Sequence, residues 1–222
     1  MKTSFTLPIL CVTLSRIATS LALLFIALPN NAFSQSPITT VSINSVSSEY
    51  PGIEASHLLT SDGFGSGNPA TFTNVYLPGD IWETMPYQVQ GTNWIIFDLG
   101  ASYDLASFHV WNLNILNYTG RGISSMTLLT SNNGTTYTNQ GTLNLTQGTG
   151  SSDYSGQDFN APWTNVRFVE FAGIYSFQNG GDDAGHMGLS KVQFTAVPEP
   201  ASLVMMLGFG ILGATLVRQR KV

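Results

Sequence analysis

The sequence predicts an all-β sandwich, and three features of its middle region carry that expectation. Between Gln35 and Ala196 the apolar residues fall in short runs, no long stretch keeps a 3.6-residue period, and Ser, Thr, Gly and Asn fill the intervals. About 160 residues suffice for one domain with a proper core. Charged residues make up only 9% of the chain, so uncharged polar side chains must solvate most of its surface.

Three parts follow from composition: a signal peptide over 1–34, a sandwich domain over 35–196 and a sorting tail over 197–222. In the first, Lys2 and Arg16 are the only charges, Ile17 to Leu28 is an apolar core broken by Thr19 and Ser20, and Ala32-Phe33-Ser34 offers small residues at cleavage spacing. Cys11 is the sole cysteine. The exported domain therefore has neither disulfides nor thiolate metal sites and depends on packing. Between Gln35 and Val197 twelve acidic residues face Arg121, Arg167 and Lys191, a formal charge of −9. That balance argues against nucleic acid and anionic lipid as partners, since both need clustered Lys and Arg.

Within the domain, Ile38, Val41, Ile43 and Val46 suggest one strand, and Pro51 to Leu59 a short helical turn. Thr60 to Pro69 is rich in glycine and reads as a loop, and Tyr76 to Gln90, with Pro78-Gly79 and Pro86, is more loop than strand. Asn93 to Gly100 is the clearest strand, apolar on both faces and ended by Asp98 and Gly100. Ser107 to Leu113 places Phe108 and Val110 on one face and His109, Trp111 and Leu113 on the other. Met126 to Leu129 runs into Ser131-Asn132-Asn133-Gly134, where Asn-Gly predicts a type I′ hairpin with Tyr137 on the return strand. Val166 to Phe171 and Leu189 to Thr195 supply the last two strands. Trp94 and Trp111, being in strands, are expected in the core.

At the C-terminus, Val197-Pro198-Glu199-Pro200 precedes an apolar segment that ends in Arg218-Gln219-Arg220-Lys221. The prolines disfavour helix before Ala201. A helix over about 201–217 follows, and the sixteen uncharged positions from Ser202 span roughly 24 Å, short of the ~30 Å hydrocarbon core unless arginines snorkel or the bilayer thins. This order of Pro198, Glu199, Pro200, a short span and Arg218 and Arg220 resembles the PEP-CTERM sorting signal of Gram-negative bacteria. The resemblance implies an exosortase and the secretion machinery as partners, membrane contact through the C-terminal helix, and delivery to the cell surface or extracellular matrix. Such tails are also described as the end of an ice-binding protein, but a segment that addresses a protein says nothing of ice. An ordinary single-pass anchor with basic flanks is the plainer alternative.

A second resemblance rests on Trp94-Ile95-Ile96-Phe97-Asp98-Leu99-Gly100, Ser131-Asn132-Asn133-Gly134 with Tyr137, Val166-Arg167-Phe168-Val169 and Gly188-Leu189-Ser190-Lys191-Val192-Gln193-Phe194, in that order. Together they resemble discoidin-like domains, the coagulation-factor type C and galactose-binding modules. The resemblance covers Val46 to Thr195 and implies an eight-stranded jelly-roll β-sandwich that binds carbohydrate through loops at one end. It also implies a structural calcium ion, for which Asp62, Asp182 and Asp183 are the candidate ligands. Lys191 stands where such domains often carry Glu, and an ammonium cannot ligate Ca²⁺.

Sugar binding needs an aromatic face and a few oriented polar groups. The loop aromatics Trp82, Tyr87, Tyr118, Tyr154 and Tyr175 and the polar residues Asn117, Arg121, Asp182 and His186 are the candidates, although a loop aromatic more often packs as a lid. No catalytic group is expected. Only His57, His109 and His186 are available as bases, no Ser lies in a nucleophile elbow, and Asp182 and Asp183 are sequence neighbours that generally point apart, unlike the opposed pair of a glycosidase. Asn117-Tyr118-Thr119, Asn133-Gly134-Thr135 and Asn144-Leu145-Thr146 fit the glycosylation pattern, which in a bacterial chain goes unused by default. The sequence thus points to an exported, non-catalytic carbohydrate-binding protein of the surface or matrix. A structural matrix protein without a small ligand is the alternative, and a polysaccharide hydrolase or ice-binding protein ranks below both.

Overall fold

The structure is a computed structural model that describes residues 35–59, 81–151, 154–178 and 185–197. Ten strands are found among them: β1 (Ser36–Pro37), β2 (Ser42–Val46), β3 (Trp82–Glu83), β4 (Asn93–Tyr103), β5 (Leu105–Asn112), β6 (Ile123–Ser131), β7 (Thr138–Asn144), β8 (Gln157–Asn160), β9 (Val166–Ser176) and β10 (Gly188–Ala196). They build two five-stranded sheets. One has the order β1-β10-β5-β8 with β3 also paired to β10, and the other β2-β4-β9-β6-β7. Every pairing between these strands is antiparallel.

The core forms where alternating residues of the two sheets meet. Phe97 of β4 and Phe171 of β9 face Phe108 of β5 and Phe194 of β10, all four buried. Phe97 sits edge-on to Phe171 and Phe194 at ring separations of 5.1 and 5.3 Å. Each ring buries a large apolar area and adds a favourable edge contact, so this quartet fastens one layer to the other. A bulge at Ser190 in β10 resets the side-chain phase. Val192 and Phe194 thereby point inward, while Lys191 is half-buried on the outer side.

Four expectations are corrected. The leader is not one strand: β1 pairs with β10 and β2 with β4, so the chain crosses between sheets, and Ile38 N–H donates to Phe194 O at 2.9 Å during the crossing. β4 runs on to Tyr103 past Gly100, whose φ of +86° bends it without ending it. Its outer face is less covered than expected, and Trp94 is half-buried rather than part of the core. Asn133-Gly134 does not form a two-residue turn. Thr130 pairs with Thr138, only Gly134 of the two has positive φ, and Asn133 Oδ1 instead accepts the Thr135 and Thr136 amides at 2.9 Å each. This wider loop leaves Tyr137 outside β7.

The short turn within 51–59 is present as a 3-10 helix, Ala55–Leu59. The predicted apolar helix over 201–217 and the signal peptide lie outside the described residues. Among the described residues no helix is long and apolar enough to cross a membrane.

Candidate ligand site at one end of the sandwich

Four segments meet where β5 and β3 end and β6 and β10 begin: 48–53, 83–88, 117–121 and 185–187. The 48–53 segment turns back on itself, with Ile53 N–H donating to Tyr50 O, and then joins β3, as Tyr50 N–H donates to Glu83 O at 2.8 Å. β3 is held on its other side by β10, and its indole anchor, Trp82 Nε1, donates to Ser48 O at 3.1 Å. Thr84 N–H donates to Met187 O, and Met187 N–H returns a bond to Thr84 Oγ1. Between these contacts Glu83 has a fixed backbone on a short strand.

Its carboxylate faces Arg121 and His186. Arg121 Nη1 lies 3.3 Å from Glu83 Oε2, and His186 Nδ1 lies 3.9 Å from the same oxygen. The Glu83 side chain is 2% exposed and that of Arg121 17%. His186 Nδ1 is 2.8 Å from Thr84 O. A carbonyl only accepts, so Nδ1 carries a proton there. Tyr50 and Ile53 complete a hollow of about 150 Å³ with Glu83, Arg121 and His186. The Tyr50 ring is 5.8 Å from that of His186, and Tyr50 is 40% exposed.

The chain just after Arg121 is anchored by Asn112, which is fully buried at the end of β5. Its Nδ2 donates to Ile123 O and Thr146 O, and its Oδ1 accepts the Leu113 and Ile123 amides, all within 2.8 to 2.9 Å. Ser190 Oγ donates to the Asn112 carbonyl. One side chain thus ties β5 to β6, and its backbone to β10. Directly before β6, the 3-10 turn Thr119–Arg121 presents Arg121, whose guanidinium lies 4.3 Å above the Tyr118 ring.

Of the residues nominated from sequence, Arg121 and His186 line the hollow, and Tyr118 supports Arg121. Asn117, with φ +70°, shapes the turn before it. Tyr87 is 83% exposed with φ +62°, on a turn against which the Gly185 backbone rests, so it stands beside the site. Trp82 and Tyr154 are corrections. Trp82 is fully buried in the main core, and Tyr154 is buried with its hydroxyl accepting the Asn112 amide at 3.2 Å. Neither offers a ring face to a ligand. Burial also pushes the Tyr154 hydroxyl above the ordinary tyrosine value. Tyr175 is exposed in β9 but covers Gly91 and does not line the hollow.

Asp62, Asp182 and Asp183 lie outside the described residues, as do Pro198, Glu199, Pro200, Arg218 and Arg220. Among the described residues no group of three His, Cys, Asp or Glu side chains is placed to hold a metal. Burial lowers the Lys191 ammonium below its ordinary value. His109 is tied down away from the site, Nδ1 2.7 Å from Asp158 and Nε2 2.8 Å from Ser155 O, as its strand position suggests. Glu83 and Tyr50 escaped the sequence reading. The Pro51-Gly52 turn signal beside Tyr50 and the acid next to Trp82 were the available pointers.

This architecture of two antiparallel sheets is a discoidin-like β-sandwich. The domain is similar to CBM32-3 from a family 31 glycoside hydrolase of Clostridium perfringens, with a TM-score of 0.50 and 13% identity over 75% of this chain and 99% of that one. Two structures with TM-scores of 0.48 are a putative chitobiase fragment from Bacteroides thetaiotaomicron, 16% identical over 77% and 98% of the chains, and an F5/8 type C domain from Bacteroides fragilis, 16% identical over 77% and 100%. At these identities the likeness is one of fold, and it rests on the first of the three. No curated protein matches the chain. Residues 196–221 match the PEP-CTERM protein-sorting motif. The chain therefore combines a discoidin-like β-sandwich fold with a match to the PEP-CTERM protein-sorting motif at its C-terminus.

Proposed function

We propose that the protein is an exported, non-catalytic module that binds neutral glycan in the hollow formed by Tyr50, Glu83, Arg121 and His186. The observation that carries this reading is the convergence, at one rim, of a guanidinium, a carboxylate and an imidazole beside an exposed tyrosine ring. Adjacent sugar hydroxyls each donate and accept. The Arg121 fork donates to them, Glu83 accepts, and the His186 ring adds a polar edge, while Tyr50 offers an apolar face to the ring carbons. Among the described residues that line the hollow Glu83 is the one carboxylate, whereas a glycosidase works with an opposed pair.

The architecture fits presentation of such a site. β10 begins at Gly188, beside Glu83, and ends at Ala196, where Val197 N–H donates to Asp104 O. The sorting tail thus departs from the end of the sandwich opposite the hollow. In our reading the signal peptide over 1–34 is removed, residues 35–196 form the binding domain, and the tail over 197–222 is handled by an exosortase after transient membrane contact through the helix over 201–217. The hollow then faces away from the tether, toward extracellular polysaccharide.

A glycan array with the secreted protein tests this. Binding to one or more neutral oligosaccharides is expected, lowered at least about tenfold by Tyr50→Ala or Arg121→Lys, because lysine keeps the charge but loses the planar fork. Silence across the array would favour a structural matrix protein instead.

A further inference from the structure

A second hollow, of about 390 Å³, lies at the other end of the sandwich. β6 leads from one to the other, from Ile123 near Arg121 to Ser131 in the second hollow. At about 3.4 Å per residue the two are roughly 27 Å apart. The second is framed by the loop between β6 and β7 and by residues 162–165 between β8 and β9. Its size falls within the range of about 300 to 1,000 Å³ usual for ligand sites.

Its chemistry differs from the first. No lining residue is ionisable; the walls are mostly Thr, Ser, Asn and Gln around Trp163, with Pro162 and Val166 as the other apolar members. The polar groups are held in place before any ligand arrives. Asn132 Nδ2 donates to Ser102 Oγ at 2.6 Å and to Asn165 Oδ1 at 2.8 Å. Gln140 Nε2 donates to Thr130 Oγ1 at 2.7 Å. Trp163 is half-buried, lies 5.8 Å from the Phe108 ring at an angle of 31°, and still lines the hollow. An indole fixed on one side by the core and flanked by oriented amides loses little entropy when a ligand binds.

We propose that this groove is a second carbohydrate site, taking a stretch of neutral polysaccharide against Trp163 and the amides and hydroxyls around it. A charged ligand would find no counter-ion among the lining residues, and an apolar one would strand their hydrogen-bonding groups. The latter point also disfavours the chain's own tail as occupant, although Val197 emerges nearby: positions 202–217 carry no charge and are mostly apolar. Two sites at opposite ends make the module a bridge. It can join two polysaccharide strands, or bind one strand twice with the gain in avidity that linkage brings.

Affinity electrophoresis of the full, exported chain through gels containing galactomannan, xyloglucan or β-glucan tests the proposal. The Tyr50→Ala/Arg121→Lys variant, altered only in the first hollow, is expected to keep part of the retardation by at least one of these polymers. Adding Thr136→Arg and Thr138→Arg, both at exposed positions, fills the groove with long side chains and is expected to cut the remaining retardation at least tenfold with an unchanged melting temperature. If the arginines destabilise the fold, the indole N–H resonance of Trp163, assigned with Trp163→Phe, serves instead and is expected to shift as oligosaccharide from the retarding polymer is added. Unchanged retardation after filling the groove, an indole signal that does not move, or no retardation of the unaltered chain by any of the three polymers overturns the proposal. Loss of all binding on filling the groove alone, with the first-hollow variant fully active, upholds it and rejects the first site.

Discussion

Arg121 reaches Glu83 across 38 positions of sequence, with Nη1 3.5 Å from Oε1 and 3.3 Å from Oε2, while its other face rests on Tyr118. Both distances are long for a charge-assisted bond.

The carboxylate is almost completely buried, so losing the guanidinium beside it is expected to destabilise the domain. Arg121→Ala should lower stability, and the Glu83→Gln/Arg121→Gln double variant should lose clearly less than the sum of the two single changes, because the two side chains are in contact. Urea unfolding of the four proteins measures the difference.

Asn112 is the position at which a single deletion should do most damage near the site. Asn112→Ala strips the Ile123 and Thr146 carbonyls and two amides of their partners. At about 1 to 3 kcal/mol for each buried group left unsatisfied, a loss of several kcal/mol is expected. Asn112→Asp should not rescue it, because it replaces a donating amide with a buried charge. Thermal melts of both variants provide the check.

Gly188 passes so close to β3 that an added Cβ would lie 2.6 Å from Trp82 O and 2.9 Å from Glu83 Cγ. Backbone cannot yield as a flexible side chain does. Gly188→Ala is expected to push β3 away from β10, lowering stability by about 1 to 3 kcal/mol and weakening glycan binding by displacing Glu83. A variant that melts lower but binds with unaltered affinity would separate β3 from the site.

Asp98 and Arg167 form a two-point pair between β4 and β9, Nε to Oδ1 and Nη2 to Oδ2 at 3.0 Å each. The guanidinium holds the Asp98 carboxyl below its ordinary value, and the carboxylate raises Arg167 in turn. A carboxyl lowered in the folded state gives stability that is complete above its unfolded value, near 3.9, and is lost as pH falls through the folded value. The deficit of Asp98→Asn is thus expected to be constant from about pH 5 upward and to shrink in acid. Arg167 is 43% exposed, so solvent screening keeps the neutral-pH deficit small. Stability curves at pH 7 and at about pH 2 test the sign.

In Glu170 the direction is reversed. Burial raises its carboxyl above the ordinary value, so its ionisation costs stability as pH rises through that raised value. Glu170→Gln is expected to be neutral or slightly stabilising at pH 7, and a lowered melting temperature there would contradict this.

The sequence by itself determined what is local. Alternation in 93–100 and 107–113 determined which side chains of β4 and β5 share a face, because the strand period is a property of the backbone, but which face of β4 turns inward was decided by packing. The tail motif likewise reads as an address from composition and order alone. The tertiary structure decided whatever depends on distant pairing. Gln157–Asn160 has little apolar signal, and it becomes β8 because β5 lends it an edge. Residues 38–46 look like one strand, yet the Ile38 amide follows Ser36–Pro37 onto β10 while Ser42–Val46 pairs with β4. Trp82 and Tyr87 are five positions apart in one loop-like stretch, yet the first is fully buried and the second 83% exposed. Glu83, Arg121 and His186 share no spacing that a reader could detect. They meet because two sheets stack and bring the ends of β3 and β5 beside the starts of β6 and β10, and only the packed core sets that register.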